Sequence, residues 1–359
     1  MPHSLKPIRH DAGQCAEDEP EDAPADDASR PLPAKGPDRK RLGRLIGVAL
    51  SVVLLGLSVF VLGRVVSRLS LAELRAAIAA TSAEQIVGAS LLTAVSYLAL
   101  TGYDALAMRQ LRLRVPYRVT ALGSFTSYAI SFMLGFPLIT GGTVRYWIYS
   151  RAGLSAGKVA TITVIAGFTF WAGMAALVAA SLVFAAEGLS GVDFLTPTLN
   201  RLLGVAIAVV IAGYLFWVGQ ARRRITVQGY RLEMPGVLAT LGQMALGVTD
   251  LCAAAGVLYA LLPAGVTLDY PTFIGIYVFA CMVGIASHVP GSLGVFEATM
   301  LRSVPGASEE RVLAALLLYR MIYFVMPFVL ALALLGADEC VRRWTALRDA
   351  MSRGRDDEP

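Results

Sequence analysis

The sequence predicts an all-α polytopic membrane protein with about six full spans and two opposed re-entrant helical hairpins in an inverted-repeat plan, or, as the competing topology, eight complete spans. Three observations carry this. The chain is 56% hydrophobic and 16% charged, with a mean hydropathy of +0.63, too apolar for a soluble protein of 359 residues. Several uncharged runs are long enough to cross about 30 Å of hydrocarbon. Two runs are broken by proline and glycine, at Gly135-Phe136-Pro137 with Gly141-Gly142 and at His288-Val289-Pro290-Gly291. Irregular backbone at membrane depth is tolerated only where protein buries it or it lines a wet cavity, so two such breaks point to a site between repeats.

Taken in order, residues 1–43 hold eight acidic residues between Asp11 and Asp27, several prolines, and then a basic run through Lys35, Arg39, Lys40 and Arg41. This segment cannot bury a core and is expected to be a disordered cytoplasmic tail. The membrane domain is expected over 44–337. Its first span is 45–63, uncharged between Arg44 and Arg64, and 71–83 reads as a short interfacial helix. The second span is 85–108. The first broken segment, 119–158, follows, and its returning half-helix is expected to begin at Gly142 and Thr143. Spans over 159–186, 202–221 and 235–262 come next, then the second broken segment, 270–305, and a last span over 312–336. Residues 338–359 read as a short, charged cytoplasmic tail.

Charge sets the orientation. If every apolar segment crosses, Arg222-Arg223-Arg224 falls outside, against the tendency of arginines to remain cytoplasmic. If 119–158 enters and leaves from the cytoplasmic side and 270–305 dips in from the other, then Arg109–Arg118, Arg145–Lys158, Arg222–Arg231 and Arg342–Arg348 all lie inside. Segments 85–186 and 235–336 then share a span–hairpin–span plan with opposite orientation. Both topologies place both termini in the cytoplasm.

The composition also excludes classes of function. The formal charge of +5 arises from arginines at the ends of apolar segments, and no basic face interleaved with aromatics offers itself to nucleic acid. Cys15, Cys252, Cys281 and Cys340 are scattered without metal-ligand spacing, and His3, His10 and His288 are the only histidines. No cofactor or metal is implied, and no nucleophile–base constellation points to an enzyme.

Charges within apolar segments cost roughly 3 kcal/mol each on insertion scales unless paired or hydrated, so they are functional candidates by default. Asp250 lies deepest, mid-way through 235–262, and Arg320 lies about two turns into the last span. An Asp250–Arg320 ion pair would satisfy both without a ligand. Glu297 is a further such charge, and Asp104 lies nearer an interface. Arg145, just beyond Gly141-Gly142, could hold a phosphate through its planar fork, or could mark a cytoplasmic edge and snorkel. Tyr146, Tyr319 and Tyr323 put amphipathic rings near the expected cavity, as do Tyr128, Trp147 and Tyr149. His288 sits at the second turn, either proton-sensitive or neutral and hydrogen-bonded to backbone.

Four ordered motifs extend this reading: Gly141-Gly142-Thr143-Val144-Arg145-Tyr146-Trp147-Ile148-Tyr149 with Gly153-Leu154-Ser155; Phe168-Thr169-Phe170-Trp171-Ala172-Gly173; Ser287-His288-Val289-Pro290-Gly291-Ser292-Leu293-Gly294-Val295-Phe296-Glu297; and Leu318-Tyr319-Arg320-Met321-Ile322-Tyr323. Together, over about residues 40–337, they resemble the N-terminal membrane domain of the lysylphosphatidylglycerol synthase/flippase family, the multiple peptide resistance factors, and the wider set of membrane proteins related to it. The resemblance implies a lipid-translocating domain that moves aminoacylated phosphatidylglycerol between leaflets. It implies that Arg145 and Arg320 contact the lipid phosphate and Glu297 the amino head; Asp104 and Asp250 are added from burial alone. The synthase's soluble acyltransferase-like domain has no counterpart here, so aminoacyl transfer is expected to fall to a separate synthase. Other readings stay open: a hopanoid or polyprenyl carrier as substrate, a non-catalytic subunit of a lipid-modifying enzyme, an integral membrane transferase, and a homo-oligomeric assembly.

Overall fold

An antiparallel pair of long helices, α2 (Ala83–Gln110) and α8 (Val237–Leu261), forms the spine of the protein. Small and polar residues set its register. The Gln85 amide donates to the Ala260 carbonyl at 2.9 Å near one end, Ser96 meets Asp250 in the middle, and Gly102 makes room for Leu246 near the other. A Cβ on Gly102 would lie 2.9 Å from Leu246 Cδ2. The computed structural model describes residues 71–134, 137–220, 224–227, 230–233, 236–263, 265–287, 292 and 294–356. The expected first span, 45–63, the N-terminal tail and His288 lie outside them.

Ahead of the spine comes α1 (Leu71–Ala80). Ser82 then starts α2 with a reciprocal cap: its hydroxyl accepts from Gln85 N, and Gln85 Oε1 accepts from Ser82 N. After α2 the chain folds back twice as a helical hairpin. In this hairpin α3 (Tyr117–Leu134) and α4 (Pro137–Tyr149) run antiparallel, with Ser127 Oγ donating to the Gly141 carbonyl at 2.7 Å. Gly123 packs so tightly on the Tyr149 ring that a Cβ there would sit 2.3 Å from it.

The first helix of the hairpin ends at Leu134 and the next runs from Pro137 through the paired glycines. Gly142-Thr143 therefore does not begin the returning helix; Pro137 does, because proline suits a first turn whose N–H has no intrahelical partner. Gly141 and Gly142 lie inside α4. Gly141 serves close packing, since a Cβ on it would lie 2.9 Å from Ser131 Oγ and 3.0 Å from Arg145 Nη1.

Next, α5 (Ala156–Phe184) crosses α8 where Gly173 meets Gly247, and a Cβ on Gly173 would lie 2.4 Å from the Gly247 carbonyl carbon. Small residues allow two apolar helices to bring their backbones together, the usual route to packing inside a bilayer. A short helix, α6 (Ala186–Asp193), leads to α7 (Pro197–Gln220), which leans on α5 at Gly204. The rest of α7 exposes Val205, Val209, Val210 and Phe216, a surface suited to lipid rather than water. A two-stranded ribbon follows, β1 (Arg224–Val227) with β2 (Tyr230–Glu233), in the register Arg224↔Glu233. It is a small departure from an otherwise helical fold, favoured by the alternation of Ile225, Val227, Tyr230 and Leu232.

Behind α8, Asp269 caps α9 (Tyr270–Ala286) by accepting from Thr272 N, and Pro271 lies in the first turn. The chain turns back through Ser292 and Gly294, both at positive φ, into α10 (Val295–Ser303), whose Phe296 ring meets Tyr277 edge-on at 5.6 Å. The last long rod combines α11 (Glu309–Tyr319), a six-residue π-helical segment (Arg320–Val325) and α12 (Met326–Asp356). Instead of ending in a separate tail at 338, the helix runs on through charged residues, carried by Asp338–Arg342 and Glu339–Arg343 pairs one turn apart.

Among the described residues five helices are long and apolar enough to cross a membrane: α2, α5, α7, α8 and the last rod. With its lipid-suited exterior, the chain is a multi-pass membrane protein.

Candidate functional site

Both broken segments converge on one cavity of about 600 Å³. The first hairpin supplies Tyr128, Phe132, Pro137 and Leu138; the second supplies Tyr277, Ser292 and Phe296. The spine contributes Leu100 and Asp250, α5 contributes Phe170 and Trp171, and the π-helical segment contributes Arg320, Tyr323 and Phe324. A π-helical turn is rare and strained, and here it directs a guanidinium and two rings toward one wall. The rings are ordered: Tyr319 and Tyr323 stack at 5.3 Å and 11°, and the Tyr319 and Tyr277 hydroxyls lie 2.7 Å apart. The first turn of α4 borders the outer edge of the cavity, where Leu138 is 67% and Ile139 72% exposed.

The charged candidates divide into three groups. Beside the cavity, behind Tyr128, lies Arg145. It is only 2% exposed, so it does not snorkel, and its fork closes on the buried Asp104 through Nε at 2.8 Å and Nη2 at 2.9 Å. The Tyr149 hydroxyl donates to the same carboxylate at 2.6 Å, and the guanidinium lies 4.6 Å from the centre of the Tyr128 ring. The site is fully paired, and the fork faces Asp104.

In the second group, Arg320 meets Glu297 across the start of α10. Glu297 also accepts from Gly294 N at 2.8 Å, capping α10, so it anchors the second turn and the π-helical wall to each other. This pair is half-buried, and Arg320 itself lines the cavity.

Asp250 forms the third. The ion pair with Arg320 that its sequence position allowed does not form, because Arg320 faces Glu297. Instead Ser96 Oγ donates to Oδ1 at 2.5 Å and the Tyr103 hydroxyl to Oδ2 at 3.0 Å. The Tyr323 hydroxyl lies 2.8 Å from Ser96 Oγ, extending the chain of hydroxyls. Among the described residues Asp250 belongs to no ion pair.

Of the remaining candidates, Tyr319 and Tyr323 line the cavity, Gly141 packs beneath Arg145, and Gly142 and the exposed Tyr146 lie away from the cavity wall. Sequence reasoning missed Ser96, Tyr103, Tyr277, Ser292 and Phe296. A signal for the first two existed: a seven-residue spacing puts Ser96 and Tyr103 on one face of α2. Among the described residues no three His, Cys, Asp or Glu side chains gather as metal ligands.

Comparison with known proteins agrees with this architecture. A family model described as the lysylphosphatidylglycerol synthase TM region matches residues 44–331. An uncharacterised protein of Synechocystis, slr0712, is 34% identical over 261 residues, covering 72% of this chain and 80% of its own. Inner membrane protein YbhN of Escherichia coli is 30% identical over 246 residues, or 67% of this chain and 76% of its own. The phosphatidylglycerol lysyltransferase of Staphylococcus epidermidis is 42% identical over 85 residues, which is 23% of this chain and 10% of the larger protein. With the family model spanning most of its length, the chain belongs to the family of lysylphosphatidylglycerol synthase transmembrane regions.

Proposed function

We propose that this protein moves a phospholipid with an amine-bearing head group, of the lysyl-phosphatidylglycerol type, between membrane leaflets. The observation that carries the reading is the cavity itself: two helical turns meet at a chamber that holds a guanidinium, a carboxylate and stacked phenols, bordered by an apolar, exposed edge at Leu138 and Ile139. In this reading the head group occupies the chamber while the acyl chains stay in lipid. Arg320 exchanges Glu297 for the lipid phosphate, and Glu297 remains held by its cap on α10.

The hairpins are re-entrant in this scheme. At 1.5 Å per residue the 13 residues of α4 and the 9 of α10 reach about 20 and 14 Å, short of about 30 Å of hydrocarbon. Arginine placement then puts both termini in the cytoplasm, and the relative named as an inner membrane protein supports that membrane as the location. In this reading a separate synthase supplies the lipid.

The test is outer-leaflet exposure of lysyl-phosphatidylglycerol in cells that express a synthase-only partner with this chain or its Arg320→Ala variant, at equal total lipid and protein. Exposure should rise with the wild type and fall with the variant. Equal exposure with and without the chain would remove this lipid as substrate and turn the search to a hopanoid or polyprenyl carrier.

A further inference from the structure

Among the described residues around the cavity, every formal charge has its opposite except one. Arg145 has Asp104 and Arg320 has Glu297, whereas Asp250 has two hydroxyls and an open side toward the chamber. An ionised carboxylate held this deep without a cation is costly, and proteins neutralise such groups by a proton or a bound cation. Among the described residues, the titratable groups that interact with Asp250 supply no cation. They are Tyr97 and Tyr103 from α2, Tyr128 from α3, Cys281 from α9 and Tyr323 from the π-helical segment. From the other side, α5 carries no ionisable residue between Val159 and Phe184.

The hydroxyl shell suits either form of the acid. A hydroxyl both donates and accepts, so Ser96 and Tyr103 can give hydrogen bonds to a carboxylate or turn to receive one from a carboxylic acid. A lysine or arginine in their place would fix the ionised form. The shell is also wrong for a hard metal ion, which takes about six to eight oxygens. One carboxylate and two hydroxyls fall short, and much of the nearby wall is aromatic. An organic ammonium group needs no such coordination shell and can pair with a single carboxylate.

We infer that Asp250 is an exchange site that holds either one proton or one alkylammonium group of the head group, so that loading an amine-bearing lipid expels a proton. The balance is simple: the carboxylic acid loses its proton to water, and the ammonium group of the lipid, which keeps its own protons, takes its place beside the carboxylate. Movement of such a lipid is thereby tied to a counter-movement of one proton. The inference rests on the lipid reading of the cavity and supplies its energy source.

The experiment is calorimetric titration of the purified full chain with a short-chain lysyl-phosphatidylglycerol at pH 6, in two buffers of different ionisation enthalpy, beside unmodified phosphatidylglycerol. Asp250→Asn, nearly isosteric, corrects for protons lost by the lipid's own amines. The expected result is one proton released per lysyl lipid bound to the wild type, none with Asp250→Asn, and an affinity lowered on the order of tenfold or more in the variant. Unmodified phosphatidylglycerol should release none. In the wild type alone, affinity for the lysyl lipid should weaken as pH falls, a result that does not depend on the variant folding. Binding without proton release, or equal release from the variant, overturns the exchange and leaves the lipid reading standing. Absence of lysyl-lipid binding to the wild type removes both.

Discussion

Arg145 and Asp104 hold each other through two hydrogen bonds of 2.8 and 2.9 Å in a site closed to solvent. The guanidinium fork meets the carboxylate edge to edge, 41 positions apart in sequence, and joins the first hairpin to the spine of the fold. This makes Arg145 a strut first, whatever else it touches.

Removing one member of that pair leaves a buried charge alone. Arg145→Ala or Asp104→Ala should each destabilise the protein by about 3–5 kcal/mol, whereas the double change to apolar residues of similar size should recover much of the loss. Thermal unfolding in detergent of the two single variants and the double variant checks this; equal losses in all three would contradict it.

The crossing of Gly173 and Gly247 admits no side chain. Gly247→Val would force backbone within van der Waals contact apart, and yield of folded protein should collapse. Gly213, on α7, has nothing within 4 Å of a would-be Cβ, and Gly213→Ala should be neutral or stabilising by up to about 1 kcal/mol. Fluorescence-detected size exclusion of the two variants separates the cases.

Glu297 competes for Arg320 with any incoming phosphate. Glu297→Gln keeps an oxygen to cap Gly294 N but removes the charge, so folding should hold within about 1 kcal/mol while affinity for a phosphate-bearing lipid rises several-fold. Lipid titration of the purified variant reads this directly.

Asp269 offers a pH effect outside the spans. The hydrogen bond from the Thr272 side chain, with backbone N–H support, holds its carboxyl below the ordinary carboxylate value. A carboxyl depressed on folding stabilises the protein above its ordinary pKa and loses that contribution as pH falls through the lower folded value. Asp269→Ala should cost about 0.5–2 kcal/mol at pH 7 and nothing further once the wild-type carboxyl is protonated. Unfolding temperatures of wild type and variant, followed downward from pH 7, should converge.

Much of this arrangement is legible in the chain because the bilayer imposes length. α2, α5, α7 and α8 all lie within a few residues of the apolar runs that predict them. Partners are harder to read. Asp104 pairs with Arg145, and Arg320 with Glu297 instead of Asp250, because pairing depends on helix rotation, to which an apolar run is indifferent. Pro137 misleads in a different way. It opens a helix as readily as it ends one, and here it opens the helix that carries the paired glycines. Nothing in residues 320–325 marks the π-helical turn.

The antiparallel spine has one more implication. Its two helices are pinned to each other near both ends and in the middle, by Gln85 on the Ala260 carbonyl, Ser96 on Asp250 and Gly102 against Leu246. Sliding one helix along the other by a single turn would break all three together, so the wall that carries Asp250 is the fixed side of the cavity.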